Sequence, residues 1–381
     1  MSKYINQYNN YAAYSGDSTN FSYPHAAYLN EEGIGVYDRN PSRFYDFFGT
    51  LTGDTTVNFM VNGSYCNPTS KDGFFYCNYQ NTISRISFKN SSRAREKYKT
   101  IDKLGSGSQT LSTMEEMFYG LNNLEECNIS NLYLSGTSMK DMFNRCNKLQ
   151  KVEGFENIDT SNVTNFSSLF YCCNVLDENK INLSNLKVTS AATNIGGMFY
   201  GSGFKNVDFS QWDTSNVTNM ANLFDSSNFP TLDLSNFNTS ACTTMNGMFF
   251  FCKASSINTS SFDTSNVTNM GLMFRQCSKI TTLDLSHFNT SACTVTEQMF
   301  WSGNYTSLNL SNWDLSNVTN DNNMFQYCNS LINITMNNTN QTTLEKIQSR
   351  LVSDNRASYV TIHRDGYAWT YSNNQWVSTP E

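Results

Sequence analysis

Three histidines, eleven cysteines and a large supply of aspartate and serine are the side chains through which this 381-residue chain could do chemistry. A nucleophile needs a base beside it, and a metal needs three or four ligands brought together. The histidines are His25, His287 and His363, far apart in sequence, so neither a histidine-based catalytic site nor a metal site is expected. No C-x-x-C pair occurs, which disfavours zinc. Walker loops and glycine-rich dinucleotide motifs are absent from the sequence, and no cofactor is expected. The aspartates and serines recur at constant spacing, and a residue repeated with a unit has a structural job in that unit. The chain therefore reads as a non-enzyme.

That unit is the element that positions everything else. A Met-Phe or Leu-Phe step recurs with its aromatic at Phe118, Phe143, Phe170, Phe199, Phe224, Phe249, Phe274, Phe300 and Phe325. Self-similarity at about 25 residues is the mark of a stacked repeat. The first half of each unit follows L-x-x-L-x-L-x-x-F, as in Phe229/Leu232/Leu234/Phe237, and the central alternation predicts a short strand. The second half places Val267, Met270, Met273 and Phe274 at offsets that predict a helical or 3₁₀ turn with one buried side. The Asp/Asn-Thr-Ser step between the halves offers side-chain-to-backbone hydrogen bonds that suit a turn. One unit cannot bury its own apolar half, but stacked units can, with their strands in a parallel sheet. The 29-residue interval before Phe199 predicts a local loop around Glu178.

The register reinterprets the cysteines. Cys146, Cys173, Cys252, Cys277 and Cys328 each lie three residues after a repeat Phe, and Cys242 and Cys293 stand where other units have valine. Both are core positions, so a reduced, buried ladder is expected rather than disulfides. Cys66 and Cys77 lie outside the repeats and are the expected pair if any pair forms.

One row remains as a candidate binding surface. The middle residue of each L-x-L points away from the core. Through the units these residues are Asn128, Glu153, Asn182, Asp208, Asp233, Asn258, Asp284, Asn309 and Asn333. On stacked strands about 4.8 Å apart they would form a stripe of carboxylates and amides. The row is either a solvated face or a face for glycan or protein. Asp208 and Asp233, at adjacent positions, would repel unless solvated or bridged. The aspartates of the D-T-S-N steps (Asp159, Asp213, Asp263 and Asp314) form a second row, read as turn chemistry.

The full unit L-D-L-S-x-F-D-T-S-x-V-T-x-M-x-x-M-F-x-x-C, carried most completely at 207–227, 232–252 and 283–300, resembles the BspA-like leucine-rich repeat family of bacterial surface proteins. The resemblance covers roughly residues 111–340. It implies a non-enzymatic surface or binding protein. The repeats are also similar to those of structural proteins of gut bacteriophages, with small modules at Tyr23–Asp38 and Val360–Val377 as flanks.

The expected architecture is a right-handed leucine-rich-repeat-like solenoid with a parallel β-sheet on one face and short helical or 3₁₀ turns. A polar arm is expected over 1–40. A small N-terminal β domain and basic linker occupy 41–100, and the nine-repeat solenoid 101–340. A C-terminal helix plus β-hairpin cap closes the chain over 341–381, with Leu344, Ile347 and Leu351 at helical spacing and Asp365-Gly366 as the hairpin turn. The formal charge of -7 disfavours nucleic acid. No run of about 18 apolar residues exists, so no membrane insertion is expected. The start of the sequence lacks the apolar core of a signal peptide, which favours a virion appendage. In that reading the N-terminal region contacts other virion proteins and the solenoid contacts a host-surface protein or glycan. A bacterial cell-surface adhesin is the alternative.

Overall fold

The computed structural model describes residues 109–130 and 132–381 and, before them, seven strand segments between 47 and 104. The expected arm at 1–40 and the side chains of Cys66 and Cys77 lie outside the described residues. The chain forms two compact units. One comprises residues up to Thr160 with Cys173–Leu186, the other Ser161–Cys172 with Lys187–Glu381. Both are built from the same stacked coil, and the fold is a repeat solenoid with parallel rungs. Among the described residues, no helix is long and apolar enough to cross a membrane.

In the first unit the strands are β1 (Phe47–Leu51), β2 (Phe59–Val61), β3 (Ser64–Cys66), β4 (Thr69–Lys71), β5 (Phe74–Cys77), β6 (Ile86–Ser87), β7 (Tyr98–Leu104), β8 (Gln109–Leu111), β9 (Glu126–Asn128), β10 (Leu132–Leu134) and β11 (Lys151–Glu153). One sheet runs β11-β9-β7-β1-β5-β4. β9 and β11 are the first two solenoid rungs and pair in parallel, as do β7 and β9. β1 pairs antiparallel with β7 and β5. The basic segment read as a linker thus contains a strand, and the sheet continues through it into the rungs. The expected loop around Glu178 is a turn at 177–180, whose Asp177 Oδ1 accepts the Asn179 N–H at 2.9 Å. Beyond that turn Ile181 bridges back to Val152.

The second unit carries the rungs β12 (Leu232–Asp233), β13 (Ile257–Asn258), β14 (Thr282–Asp284), β15 (Ser307–Asn309) and β16 (Asn333–Thr335). They come in two parallel stretches, β12-β13 and β14-β15-β16. A second parallel ladder runs through the other half of the coil: Asn165, Asn194, Asn219, Thr244, Asn269, Val295 and Asn320 bridge one to the next.

The segment after that ladder is not a helix. In Met270–Gln276 alternate N–H groups leave the coil: those of Met270, Leu272, Phe274 and Gln276 donate to Val295, Glu297, Met299 and Trp301 carbonyls, at 2.8 to 3.0 Å. The N–H groups between them close 3₁₀-type turns, Met273 to Met270 and Arg275 to Leu272. This alternation demands a left-handed residue every fourth position. Leu272 and Gln276 have φ of 62° and 55°, and residues two before and two after the repeat Phe are left-handed in all nine repeats. The turn buries the Met-Phe pair of each coil. Its phenylalanines stack from Phe170 through Phe199, Phe224, Phe249, Phe274 and Phe300 to Phe325, with centroids 5.4 to 6.2 Å apart. Each such fully buried side chain contributes about 2 kcal/mol of transfer free energy.

A buried threonine at the corner ties each coil to the next. The hydroxyls of Thr214, Thr239, Thr264 and Thr290 donate to the carbonyls of Asn238, Asp263, Asn289 and Asp314, at 2.8 to 2.9 Å.

The C-terminal end is closed by α1 (Gln341–Ser353), β17 (Thr361–Arg364), β18 (Tyr367–Ser372) and β19 (Gln375–Pro380). Asn340 caps α1 by accepting the Thr343 N–H at 2.7 Å, and Leu344, Ile347 and Leu351 are its buried side. The cap supplies the partners a further coil would have supplied. Asp354 accepts the Phe325 N–H at 2.9 Å, Thr343 Oγ1 accepts that of Leu315, and Arg356 donates to the Asn329 and Leu331 carbonyls. β17 adds to β16 in parallel and turns back antiparallel through Asp365 and Gly366, both left-handed, as the type I′ signal requires. A second left-handed pair, Asn373-Asn374, joins β18 to β19.

Candidate functional site

The sheet-face row falls in both units: Asn128, Glu153 and Asn182 in the first, and Asp208, Asp233, Asn258, Asp284, Asn309 and Asn333 in the second. Their alternation is as read from the sequence: Leu232 and Leu234 are buried and Asp233 between them is exposed. The rungs beneath the row are not continuous, because residues 207–209 form no strand.

A local job explains the residue type. Oδ1 of Asp208 accepts the Ser210 N–H at 2.8 Å, and Asp233, Asn258, Asp284 and Asn309 accept those of Ser235, Ser260, Ser286 and Ser311 at 3.0 to 3.2 Å. Asn128 and Asn182 do the same for Ser130 and Ser184. Each is an Asx turn, in which a short side chain mimics the backbone and bends the chain at the rung's end. Glu153, too long for this, instead accepts from Asn128 Nδ2 at 2.7 Å and pairs with Lys151.

These hydrogen bonds also favour the charged form of the aspartates. The Ser210 N–H and hydroxyl hold the Asp208 carboxyl below its usual range, and Ser235 does so for Asp233. At Asp284 partial burial opposes the shift, but the bonds from Ser286 outweigh it. Asn258 Nδ2 donates to Asp233 Oδ1 at 3.0 Å, so an amide stands beside that carboxylate on the neighbouring coil. The row's three aspartates are thus held toward their charged form and engaged by their own turns.

The other repeated polar groups close the coil as well. Asp213, Asp263 and Asp314 accept the N–H groups of Ser215, Ser265 and Ser316, as the turn reading of their row expects. The ladder asparagines Asn165, Asn194, Asn219 and Asn269 make a third set of Asx turns. The ladder cysteines are reduced and buried. Their thiols have a partner the sequence did not reveal. Cys146, Cys173, Cys277 and Cys328 donate to the carbonyls of Phe118, Phe143, Phe249 and Phe300, at 2.9 to 3.1 Å. Where Gly303 replaces the cysteine, the Tyr305 hydroxyl donates to the Phe274 carbonyl instead. His287 is exposed and hydrogen-bonds the Thr259 carbonyl, while His363 bonds Glu381 and Asn333.

Sequence reasoning missed a different surface. The residue after the repeat Phe reads Tyr171, Tyr200, Asp225, Phe250, Arg275, Trp301 and Gln326 along the second unit, and the next reads Cys172, Gly201, Ser226, Phe251, Gln276, Ser302 and Tyr327. These two columns vary in size and charge from coil to coil, while the Met/Leu-Phe step just before them holds constant. Tyr171 and Tyr200 stack at 4.0 Å. The Arg275 guanidinium lies 5.0 Å from the Phe250 ring centre and 4.3 Å from that of Trp301. Trp301 and Tyr327 lie with centroids 5.2 Å apart and their planes at 86°, and Trp301 donates Nε1–H to Gln326. Phe251 and Tyr327 are 47% and 56% exposed. Large aromatic and cationic side chains recurring just after the constant Met/Leu-Phe step are the signal that could have located the strip.

A protein-family model described as "Mycoplasma protein of unknown function, DUF285" matches residues 87–202, 176–259 and 226–339. Among solved structures the chain is similar to a leucine-rich repeat protein from Bacteroides ovatus ATCC 8483, at 13% identity and a TM-score of 0.37, over 75% of this chain and 71% of that chain. No curated protein matches.

Proposed function

The chain belongs to the family described as Mycoplasma protein of unknown function, DUF285, and we propose that it is a non-enzymatic recognition protein whose coils present a surface to a host protein or glycan. The observation that carries this reading is the use made of the repeated polar side chains. The Asp and Asn of each coil hold Asx turns, the corner threonines tie coil to coil, and the thiols hold backbone carbonyls. Chemistry-bearing groups are thus engaged in forming the coil, and what differs from coil to coil is exposed surface. Extended surfaces of this kind are how stacked repeats serve binding.

The family description names a bacterial source, which favours display on a bacterial cell surface over a virion appendage. In either setting the N-terminal region is the attachment end and the solenoid the presenting end. Protease treatment of intact source cells tests the location: surface display predicts loss of the protein, whereas full protection overturns it. Attachment of the purified protein to host cells and to protein and glycan arrays tests recognition. Turnover of any array glycan would overturn the non-enzymatic reading. The Asp208→Asn, Asp233→Asn, Asp284→Asn triple variant keeps the turns, since Asn258 and Asn309 occupy sibling positions. Unchanged attachment by this variant would remove the row's carboxylates from the binding surface.

A further inference from the structure

The two columns directly after the repeat Phe locate a binding site more closely than the sheet row does. They vary from coil to coil, and in the four coils from Phe249 to Phe325 they gather the large side chains Phe250, Phe251, Arg275, Trp301 and Tyr327. Parallel rungs stand about 4.8 Å apart, so these side chains form one strip across neighbouring coils.

Arg275 is the key residue. Its guanidinium carbon lies over both the Phe250 and the Trp301 rings, 5.0 and 4.3 Å from their centres. The two rings hold the fork in place, and a partner reaches it through its N–H groups. Its Nε is buried without a hydrogen-bond partner, and among the described residues no carboxylate lies within ion-pair distance. Glu297, the acid whose charge bears on it, accepts instead from Asn320 and Gln298. A rigid guanidinium edge matches a carboxylate by two parallel hydrogen bonds.

Phe251 and Tyr327 supply a second, independent sign. Both are large, half exposed and left-handed, with φ of 54° and 61°. Glycine fills the same position in other coils, at Gly120 and Gly201, at no steric cost. A bulky exposed side chain in a left-handed conformation is unfavourable for folding and points to a use outside it.

The chemistry of the partner is set by what the rings leave open. Trp301 is engaged by Arg275 over its ring and by Tyr327 at 86° to its plane, and the cation beside it, with no carboxylate of the described residues at ion-pair distance, calls for an anionic partner. Arg, Trp and Tyr together, with exposed apolar side chains around them, are the composition of protein-binding hot spots. We propose that this strip binds an acidic segment of a protein partner: Arg275 takes an Asp or Glu carboxylate edge-on, and Phe251 and Tyr327 pack on the apolar side chains beside it. The inference rests on the recognition reading and gives it a place and a partner class.

The test is selection of a random peptide library on the full chain. Enriched peptides are expected to carry Asp or Glu next to aromatic or branched apolar residues. Binding of a selected peptide should fall roughly tenfold or more in Arg275→Gln. Arg275→Lys, which keeps the charge but not the fork, should lose most of the same affinity. Phe251→Gly and Tyr327→Gly should weaken binding while the thermal midpoint holds or rises, which keeps the test valid if Arg275→Gln folds poorly. The triple asparagine variant of the sheet row should bind normally. Enrichment of peptides without carboxylates, no enrichment above the Arg275→Gln protein, or competition by sialylated or sulfated glycans in place of acidic peptides would overturn the proposal. Attachment to host cells that survives all the strip substitutions would overturn it too, while leaving the recognition reading intact.

Discussion

Asp225 is the buried acid of the variable column, 2% exposed where its siblings are aromatic, cationic or, at Gln326, an amide. Burial pushes its carboxyl up to about 7, against a smaller opposing effect of the Ser226 hydroxyl. The folded protein therefore holds this proton more tightly than the unfolded chain, and stability falls as pH rises from about 4 to about 7. A displacement of this size corresponds to a few kcal/mol, on the order of 1.4 per unit. Asp225→Asn should remove that dependence. The gain in melting temperature over the native protein is expected to be larger at about pH 8 than at about pH 4.5, and an equal gain at both would contradict the assignment. The thiols give a second expectation at this scale. Cys146, Cys277 and Cys328 are buried, and burial pushes all three up, Cys328 to about 12, so none is a thiolate near neutrality. Mass mapping after iodoacetamide treatment of the native protein should find Cys172, which is half buried, alkylated before any of them.

Within one coil, a carbonyl needs a donor and the donor can be exchanged. The Phe274 carbonyl is served by Tyr305, whose ring fills the space a cysteine side chain has in other coils. A Cβ on Gly303 would sit 2.0 Å from Tyr305 Cε2. Gly303→Cys alone is expected to destabilise. Combined with Tyr305→Leu it should recover, because the new thiol can donate to the same carbonyl. Tyr305→Phe leaves that carbonyl buried and unserved, a cost of about 1–3 kcal/mol in denaturant titration. The Asx turns make a parallel case. Asp263→Asn should be nearly neutral, since Asn238 and Asn289 fill the same turn in adjacent coils. Asp263→Leu should lose about 1 kcal/mol with the turn's acceptor, by analogy with helix caps.

At the scale of the whole molecule, stacked repeats are stabilised by neighbour contacts, so an open end is the weak point. The cap from α1 to β19 meets that need with specific atoms and not merely with apolar cover. Asp354→Ala removes the acceptor of the buried Phe325 N–H and should lower stability by about 1–3 kcal/mol. Deleting residues 341–381 should go further and produce aggregation or early melting by light scattering. A truncated chain that melts like the full one would show that the stack needs no closure.

Much of this was legible in the residues alone. Period, Phe ladder, rung alternation and the Asp365-Gly366 turn depend on local chemistry repeated at a fixed spacing, and a repeat stacks each residue on its own counterpart. The buried thiols were legible from that register. The second half of the coil was not. Apolar residues at offsets of three, three and one fit a helix and fit equally an alternation of right- and left-handed turns. Which one forms depends on whether every second N–H finds a carbonyl one coil away, and only stacking supplies that carbonyl. The same alternation sets the direction of the two residues after each Phe. The sequence alone thus determined that Arg275 and Trp301 stand at equivalent places in neighbouring repeats. The tertiary structure decided that the guanidinium lies against two rings with its Nε unpaired, because a side chain's surroundings are made by residues some 25 positions away.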